Sequence, residues 1–345
     1  MKPLVSIITP TYNHEQYIKT CITSVREQSM VDWEMIIIDD NSTDNTYKIA
    51  KKFADIDTRI QIIRHSGRWG ISKLKKTYNQ ALSQCQGTYV AVLEGDDYWP
   101  HNKLEKQLKA IKNDKIALSY GDCIFVDYKN RPLYIDKQRD NFKNMENEPR
   151  GSIVSLFGSL KFHIIPVTIL INRQILNQIG GFQSFAQYPF IDIPTILALS
   201  LEGRFRYCKN NLGFYRKHKS SSWYDEVQVN PRKYVGNKLR SINVFIKKNK
   251  LKLDRLGVDT NVMCNIQNVN AKKLSQDSHF FQLKYSIIHH CTDQQIRNNS
   301  IECYRSSTNI RNKSFALVSF FFPNIMKIMI LIIGRIKYYI YSFQS

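Results

Sequence analysis

Three carboxylates stand within four residues of one another, directly after an apolar run. Glu94, Asp96 and Asp97 follow residues 89–93, whose composition predicts a strand buried on both faces, as in a parallel sheet. Acidic side chains so close together repel each other and add nothing to packing. Oxygen ligands of this kind suit Mg²⁺ and Mn²⁺, which complete their coordination with substrate phosphates. We therefore expect a divalent-cation site here; a solvated acidic turn is the alternative for such a run taken alone.

Polar residues also follow two earlier strand-like runs. Residues 5–8 lead into 9–13, and residues 35–38 lead into 39–44. A third run occupies residues 60–63, and the segments between the runs carry apolar residues at helical spacing. This alternation predicts a parallel sheet with helices on both faces. Because such sheets bind ligands at the carboxyl ends of their strands, the polar and acidic groups should meet at one edge.

The chain beyond the fourth strand is less regular. An amphipathic helix is predicted over 102–113 and a strand over 116–126. Residues 127–150 are polar and charged, which predicts an exposed excursion. Residues 164–170 are strand-like, and a helix is predicted from about 195 to 201.

Composition narrows the functional classes. The 345 residues carry 50 Lys and Arg against 29 Asp and Glu, a formal net charge of +21 that favours polyanionic partners. No signature of a nucleic-acid-binding module is visible, so a membrane surface is the expected partner and nucleic acid is not. The glycine signatures of dinucleotide-binding and P-loop folds are also absent. Seven cysteines without ligand spacing favour free thiols, and the early first strand leaves no room for a secretory signal peptide.

The end of the chain is apolar and is flanked by basic residues. Residues 315–333 approach the length of a membrane-spanning helix, but Pro323, Asn324 and Lys327 interrupt the run. We expect an interfacial or re-entrant membrane segment, which fits both the interruptions and the net charge. A helix buried in the protein core is the alternative.

Three ordered blocks carry a family resemblance. Residues 5–13 (VSIITPTYN), 37–44 (IIDDNSTD) and 93–99 (LEGDDYW) resemble the signature blocks of family-two glycosyltransferases with the GT-A fold, in order and in spacing. One such block alone would be a weak signal, whereas three in order are specific. The resemblance covers about the first two thirds of the chain. It implies an α/β fold with a mostly parallel central sheet, followed by a helical C-terminal tail.

The resemblance and the composition together divide the chain into segments. Residues 1–228 are expected to form the GT-A domain, with a nucleotide-sugar-binding half over 1–100 and an acceptor half over 101–228. Residues 229–312 are polar with mostly helical spacing and are expected to form a helical extension. Residues 313–345 are the expected membrane-associating segment.

In the family, the first two blocks hold the nucleotide base. The resemblance implies that Thr9 and Tyr12 pack on and hydrogen-bond a uracil-like ring, within a block that also contains Pro10 and Asn13. Asp40 would accept a hydrogen bond from the ring N–H. The aspartate that precedes Asp40 is expected to cap the following helix.

The third block resembles the phosphate and metal site of the family. It implies that Asp96 reaches the ribose and that Asp97 binds a divalent metal, Mn²⁺ or Mg²⁺, which offsets charge on the leaving diphosphate. Glu94 stands where many relatives have Asp, so its role stays open between a direct ligand and a residue that orients one. Arg68 and Lys73 are the candidates for contact with the diphosphate.

Two later segments resemble the acceptor side of the family. Asp192 falls where a Glu-Asp pair precedes a helix, and the second acid of that pair is the general base toward the acceptor hydroxyl. Ile191 replaces the first acid, which removes an acceptor-orienting group. Residues 215–218 resemble a Tyr-Arg-x-His block, in which Arg216 would hold the diphosphate and His218 would bind the metal or a phosphate oxygen.

These residues together imply inverting transfer of a sugar from a UDP-type nucleotide sugar to a hydroxyl of a saccharide acceptor, which is expected to be attached to a polyprenyl diphosphate. The implied setting is surface-polysaccharide or O-antigen assembly at the cytoplasmic face of the bacterial inner membrane, with the chain peripheral or monotopic. Two alternatives stay open. One is a catalytically decayed nucleotide or saccharide binder on the same fold, and the other is a nucleic-acid-binding protein, which the charge alone suggests.

Overall fold

A computed structural model describes most of the chain as one mixed sheet with helices packed against it. It describes residues 2–111, 116–136, 145–157, 162, 164–186, 188, 190–218, 220–221, 231–260, 293–306, 310–323 and 326. The strands are β1 (Val5–Thr11), β2 (Trp33–Asp39), β3 (Ile60–Arg64), β4 (Tyr89–Val92), β5 (Ile116–Val126), β6 (Pro132–Asp136), β7 (Leu170–Asn172) and β8 (Arg204–Arg216). The helices are α1 (Ile18–Arg26), α2 (Thr46–Ile56), α3 (Leu74–Gln84), α4 (Lys103–Ile111), α5 (Val154–Phe157), α6 (Arg173–Gln178), α7 (Asp192–Ser200), α8 (Pro231–Lys248), α9 (Lys250–Arg255), α10 (Asp293–Ser306) and α11 (Ile310–Phe321).

The strand order in the sheet is β3-β2-β1-β4-β7-β5-β6, with β8 paired to β5. Strands β3, β2, β1 and β4 are mutually parallel, β8 runs parallel to β5, and β7 and β6 are antiparallel to their neighbours. Thr11 is in register with Asp39, and Ile8 with Val92. The carboxyl ends of β1, β2 and β4 therefore lie along one edge of the sheet.

Alternate residues of β1 enter two different cores, which explains why the strand is almost continuously apolar. Ile7 packs in a cluster with α1, and Ile8 packs in a second cluster with α3. Because both faces are covered, the strand shows no alternation of apolar and polar residues. The four predicted parallel strands are confirmed, although β1 and β2 extend further, to Thr11 and Asp39. The described cysteines are buried and form no disulfide bonds: Cys21, Cys85, Cys123, Cys208 and Cys303.

Two predictions beyond the fourth strand need correction. Residues 132–136 form β6 against β5, inside the stretch predicted to be an exposed excursion. Asn147 of that stretch is fully buried and donates to two backbone carbonyls, so its polarity is satisfied inside the protein. Of residues 164–170, only Leu170 joins a strand, because Pro166 lacks the N–H needed by a ladder and begins a 3₁₀ turn. Residues 137–144 lie outside the described residues.

The predicted helical extension is helical where it is described. Ile242 and Phe245 of α8 and Leu253 of α9 enter the same apolar cluster as α7, whereas α10 and α11 share a small cluster of their own. The predicted domain boundary at 228 stays a prediction. Of the predicted membrane-associating segment, residues 313–345, only 313–323 and 326 are described. Within the described part of the chain, none of the helices combines the length and the hydropathy needed to cross a bilayer.

Candidate active site

The acidic turn after β4 lies against the end of β1. Leu93 N–H donates to the Ile8 carbonyl, and Gly95 N–H donates to the Pro10 carbonyl, both at 3.0 Å. A Cβ atom at residue 95 would overlap the Thr11 hydroxyl, so glycine alone permits this close approach. The first and third sequence blocks consequently meet at the carboxyl edge of the sheet.

Asp96 is the acidic residue with histidine neighbours. Its Oδ2 lies 2.8 Å from His218 Nε2 and 3.8 Å from His14 Nε2. Burial alone would raise the pKa of Asp96, but the nearby His14 and His218 outweigh burial and hold that pKa well below its usual range. Burial lowers the pKa of His14, and the charge of Asp96 opposes that shift. Asp96 is therefore ionised beside two nitrogen donors.

Asp97 is buried behind the turn and is tied to β8. The residue is 2% exposed, and its Oδ1 accepts a 2.8 Å hydrogen bond from Arg216 N–H. Burial, followed by the charges of Asp96 and Glu94, raises the pKa of Asp97 well above its ordinary value. The carboxylate that faces His218 belongs to Asp96, whereas Asp97 lies in a group with Glu94 and Asp96, so the metal roles of Asp97 and His218 stay predictions.

The Arg216 guanidinium makes its described contacts inside the protein, and its predicted contact with the diphosphate stays a prediction. The residue is 2% exposed. Its Nε donates to the Asp96 carbonyl at 2.7 Å, and its Nη1 donates to Asn130 Oδ1. Its guanidinium carbon lies 4.5 Å from the ring centre of Tyr17. Arg216 therefore stabilises the backbone of the acidic turn.

Glu94 is held from the opposite side, by α3. Its Oε1 accepts a 2.8 Å hydrogen bond from the Tyr78 hydroxyl. Burial, together with the negative charge of Asp96, raises the pKa of Glu94 to about 7. A carboxyl group that titrates near neutrality is the kind of perturbed group that functional sites contain.

Two groups of possible metal ligands share Asp96 in the described part of the chain. One group adds His14 and His218, and the other adds Glu94 and Asp97. In each group, one ligand atom from every residue lies within 4.8 Å of the others. Carboxylate oxygens suit Mg²⁺ and Mn²⁺, and imidazole nitrogens suit transition metals. The residues present therefore fit the divalent ion that the resemblance implies, with Asp96 as the common ligand.

Asp192 is the first residue of α7, in the half of the domain predicted to bind the acceptor. Its Oδ1 is buried and has no hydrogen-bond partner. Burial raises the pKa of Asp192, which makes it a stronger base. Lys238 of α8 is 4% exposed, and its charge opposes that rise. Burial in turn lowers the pKa of Lys238 to about 8.

Asp40 anchors the loop that follows β3. Its Oδ1 accepts from Trp69 N–H at 2.8 Å and lies 2.8 Å from His65 Nδ1, and its Oδ2 accepts from Gly70 N–H at 2.8 Å. The His65 ring stacks on Trp69 with centroids 3.7 Å apart. Asp40 therefore positions the loop beside the predicted base site, a role that the sequence did not suggest.

The aspartate before Asp40 does not cap a helix, contrary to expectation. Asp39 Oδ2 accepts from Ser42 N–H at 3.1 Å and lies 3.3 Å from Arg64 Nε. Asp39 is the last residue of β2, so its side chain closes the tight turn that follows directly. Asp44 lies nearer to α2 and accepts from Thr46 N–H at 2.9 Å.

The predicted base-binding residues of the first block occupy different environments. Thr9 is fully buried, and its hydroxyl has no hydrogen-bond partner. Asn13 Oδ1 accepts from Thr43 N–H at 2.9 Å and so fixes the loop after β2. Pro10 contributes its carbonyl to Gly95, as described above.

Tyr12 and Arg68 form a pair at the surface of this edge. The Arg68 guanidinium carbon lies 4.1 Å from the ring centre of Tyr12, and Arg68 itself is exposed. Lys73 is exposed on a 3₁₀ turn that immediately precedes α3. Both side chains are exposed, so an anionic ligand can reach them and neither charge has lost its hydration through burial.

The sequence analysis did not identify two residues of the site, His14 and Lys238. His14 directly follows the first block, so its position next to TYN was the available signal. Lys238 lies in the helical extension, where no motif marked it. It reaches the site only because α8 packs against α7.

A comparison with protein-family models identifies the family of the chain. The model described as "Glycosyl transferase family 2" matches residues 6–180, just over half of the chain. The chain belongs to this family. Family membership confirms the resemblance drawn from the three blocks, and it agrees with an α/β GT-A fold built on a mostly parallel sheet.

Among curated family-two relatives, TuaG of Bacillus subtilis, named for teichuronic acid biosynthesis, is 36% identical over 221 residues. That match covers 62% of this chain and 79% of TuaG. The Escherichia coli enzyme named UDP-Glc:alpha-D-GlcNAc-diphosphoundecaprenol beta-1,3-glucosyltransferase WfgD is 37% identical over 119 residues. This second match covers 34% of this chain and only 45% of WfgD.

Solved structures of low sequence identity share the fold. Residues 1–349 of S. aureus TarS in complex with UDP-GlcNAc align with a TM-score of 0.56 at 18% identity, over 95% of this chain and 89% of that one. The mannosyltransferase PcManGT from Pyrobaculum calidifontis, in complex with GDP-Man and Mn²⁺, aligns with a TM-score of 0.52 at 15% identity. That alignment covers 98% of this chain and 87% of PcManGT. The predicted fold class is confirmed.

Proposed function

We propose that this family-two glycosyltransferase transfers a sugar, with inversion, from a UDP-type nucleotide sugar to a hydroxyl of a lipid-linked saccharide. The observation that carries the proposal is the convergence of Glu94 and His218 on Asp96 at the strand edge. Asp192, whose buried oxygen is unpartnered, is linked electrostatically to Glu94. The complex of TarS with UDP-GlcNAc supports a UDP-sugar donor.

The acceptor is activated by Asp192 in this proposal. Its carboxylate takes the proton of the acceptor hydroxyl, and the oxygen attacks the anomeric carbon on the face opposite the diphosphate. The new glycosidic bond forms as the bond to the diphosphate breaks, and UDP leaves. Burial suits Asp192 to this role because it brings the pKa of the carboxyl closer to neutral pH.

The donor would be held by the residues of the strand edge. Asp96 and His218 would hold a divalent ion, Mn²⁺ or Mg²⁺, which would offset the charge of the leaving diphosphate. Arg68 and Lys73 are placed to contact the phosphates, while Tyr12 and the loop fixed by Asp40 would border the base. Arg216 acts by keeping the acidic turn in place.

The proposed acceptor carries a polyprenyl diphosphate, as the name of WfgD states for that enzyme. We place the protein at the cytoplasmic face of the bacterial inner membrane, in surface-polysaccharide assembly, which the name of TuaG also supports. The net charge of +21 suits an anionic membrane surface. The described part of α11 adds apolar side chains that face solvent.

Calorimetry of UDP binding, with and without Mn²⁺, tests the donor site. We expect wild type to bind UDP more tightly with Mn²⁺, and Asp96→Ala to lose that gain in affinity.

Asp192→Asn should bind UDP normally but lower kcat for transfer by about 10²–10⁴-fold, the usual contribution of a general base. Asp55→Ala, an exposed acid on α2, is the control. Absence of nucleotide binding would reject the transferase function, and binding without transfer of any sugar would favour the decayed-binder alternative.

A further inference from the structure

Two histidines from distant parts of the chain converge on one oxygen of Asp96. His14 comes from the segment after β1 and His218 from the segment after β8, and the Nε2 atom of each faces Asp96 Oδ2. The two distances are 3.8 and 2.8 Å. Ligand atoms that surround one metal ion at about 2.1 Å lie about 3–3.5 Å apart. The two measured distances lie on either side of that spacing, and one ligand atom from each of the three side chains lies within 4.8 Å of the others, so small shifts would bring all three to a common ion.

The opposite nitrogen of each ring is held by a hydroxyl group. His14 Nδ1 lies 3.2 Å from Thr11 Oγ1, and His218 Nδ1 lies 2.9 Å from Ser220 Oγ. Histidines that bind metals commonly donate their other N–H to an oxygen, which fixes the tautomer and turns the free nitrogen toward the ion. Both rings here have that arrangement, with Nε2 directed at the carboxylate.

Gly95 makes room for this arrangement. A Cβ atom at residue 95 would overlap Thr11 Oγ1 and would lie 3.0 Å from His14 Nδ1. The acidic turn can therefore approach the Thr11–His14 pair only because residue 95 has no side chain. The cluster is also largely enclosed, since the side chains of His14, Asp96 and His218 are 15%, 12% and 4% exposed.

We propose that His14 is a third protein ligand of the divalent ion, beside Asp96 and His218. This inference rests on the proposed function for the presence of the ion and adds the identity of the ligand set. Two imidazoles and one carboxylate favour a first-row transition metal such as Mn²⁺ over Mg²⁺, whose preferred ligands are oxygens. The set of Glu94, Asp96 and Asp97 would favour Mg²⁺ instead, so the two sets differ in metal preference.

Pulsed electron paramagnetic resonance of the untagged full chain loaded with Mn²⁺ tests the ligand set directly. Wild type should show ¹⁴N couplings from two imidazoles, and His14→Gln should show one. Calorimetry should give a loss of Mn²⁺ affinity in His14→Gln of about 10–100-fold or more, the range found for residues that merely orient ligands. Mg²⁺ affinity should change much less. His101→Gln, at an exposed histidine outside the site, should match wild type.

Thr11→Val gives a second test with little change in shape. It removes the hydroxyl at His14 Nδ1 and should weaken Mn²⁺ binding while both couplings remain. The proposal is overturned if His14→Gln keeps two imidazole couplings, or if wild type shows fewer than two. UDP binding that stays Mn²⁺-dependent in these cases leaves the proposed function standing. UDP binding that never responds to metal would instead remove the metal from the proposed function.

Discussion

At the residue scale, the buried pair of Asp192 and Lys238 predicts a pH dependence. A general base must be ionised, and burial raises the pKa of Asp192, so transfer should fall as the pH drops through that pKa. The charge of Lys238, present below its pKa of about 8, lowers the pKa of Asp192. Removing that charge in Lys238→Met should move the acid limb of the kcat/KM profile to higher pH.

The matched control is Lys248→Met, an exposed lysine at the end of the same helix. Its profile should coincide with wild type. An acid limb that stays in place in Lys238→Met, with only a uniform loss of rate, would show that Lys238 supports packing and does not tune Asp192.

Single residues of the site were predictable from sequence only in part. The third block predicted that Glu94, Asp96 and Asp97 share one turn, because they directly follow a strand. The sequence did not predict that the Arg216 side chain points inward, because its contacts with Asn130 and Tyr17 come from distant parts of the chain. A residue-type match therefore located Arg216 correctly but did not show which way it faces.

At the scale of elements, the loop between β3 and α3 should depend on one carboxylate. Asp40→Ala removes the acceptor of Trp69 and Gly70 N–H, and hydrogen bonds to charged groups contribute about 1.5–3 kcal/mol each. Amide exchange of residues 65–70 should therefore accelerate by tenfold or more, while β1 and β2 stay protected. UDP affinity should fall in parallel. Hydrogen exchange read by mass spectrometry, with Asp55→Ala as the control, checks both expectations; an unchanged loop would mean that His65 stacking holds it.

Elements buried on both faces were the most predictable part of the fold. Residues 116–126 form β5 with the predicted limits, because every one of them is buried. The stretch that contains β6 was misread, because β6 is only five residues long, begins with a proline and has one buried residue, so it gives no long apolar signal within a polar stretch. The contact of α8 with α7 could not be predicted, since helical spacing identifies an apolar face without identifying what covers it.

At the scale of the whole molecule, charge and exposed apolar surface predict binding to anionic membranes. Phe321 and Phe322 are 61% and 56% exposed, next to Leu317 and Val318 on α11. We expect the chain to bind vesicles that contain anionic lipid more tightly than neutral vesicles, with binding that weakens at high salt.

A double variant with a matched control locates this membrane contact. Inserting a Phe side chain into lipid contributes about 1.5–3 kcal/mol, so Phe321→Ser with Phe322→Ser should weaken vesicle binding at least tenfold. Ile56→Ser, which removes an exposed apolar side chain of α2, should leave binding unchanged. Vesicle flotation measures all three proteins, and equal binding of the double variant would place the contact elsewhere on the chain.

The contacts of Arg216 and His218 with the acidic turn have a consequence for synthesis on the ribosome. The Asp96–His218 pair joins residues 122 positions apart, so the contact is non-local and must form late. A nascent chain exposes its N-terminal half first. Until residues 216–218 emerge, Asp97 lacks its backbone donor and Asp96 lacks one imidazole. A fragment that ends before β8 would therefore hold these carboxylates without their partners.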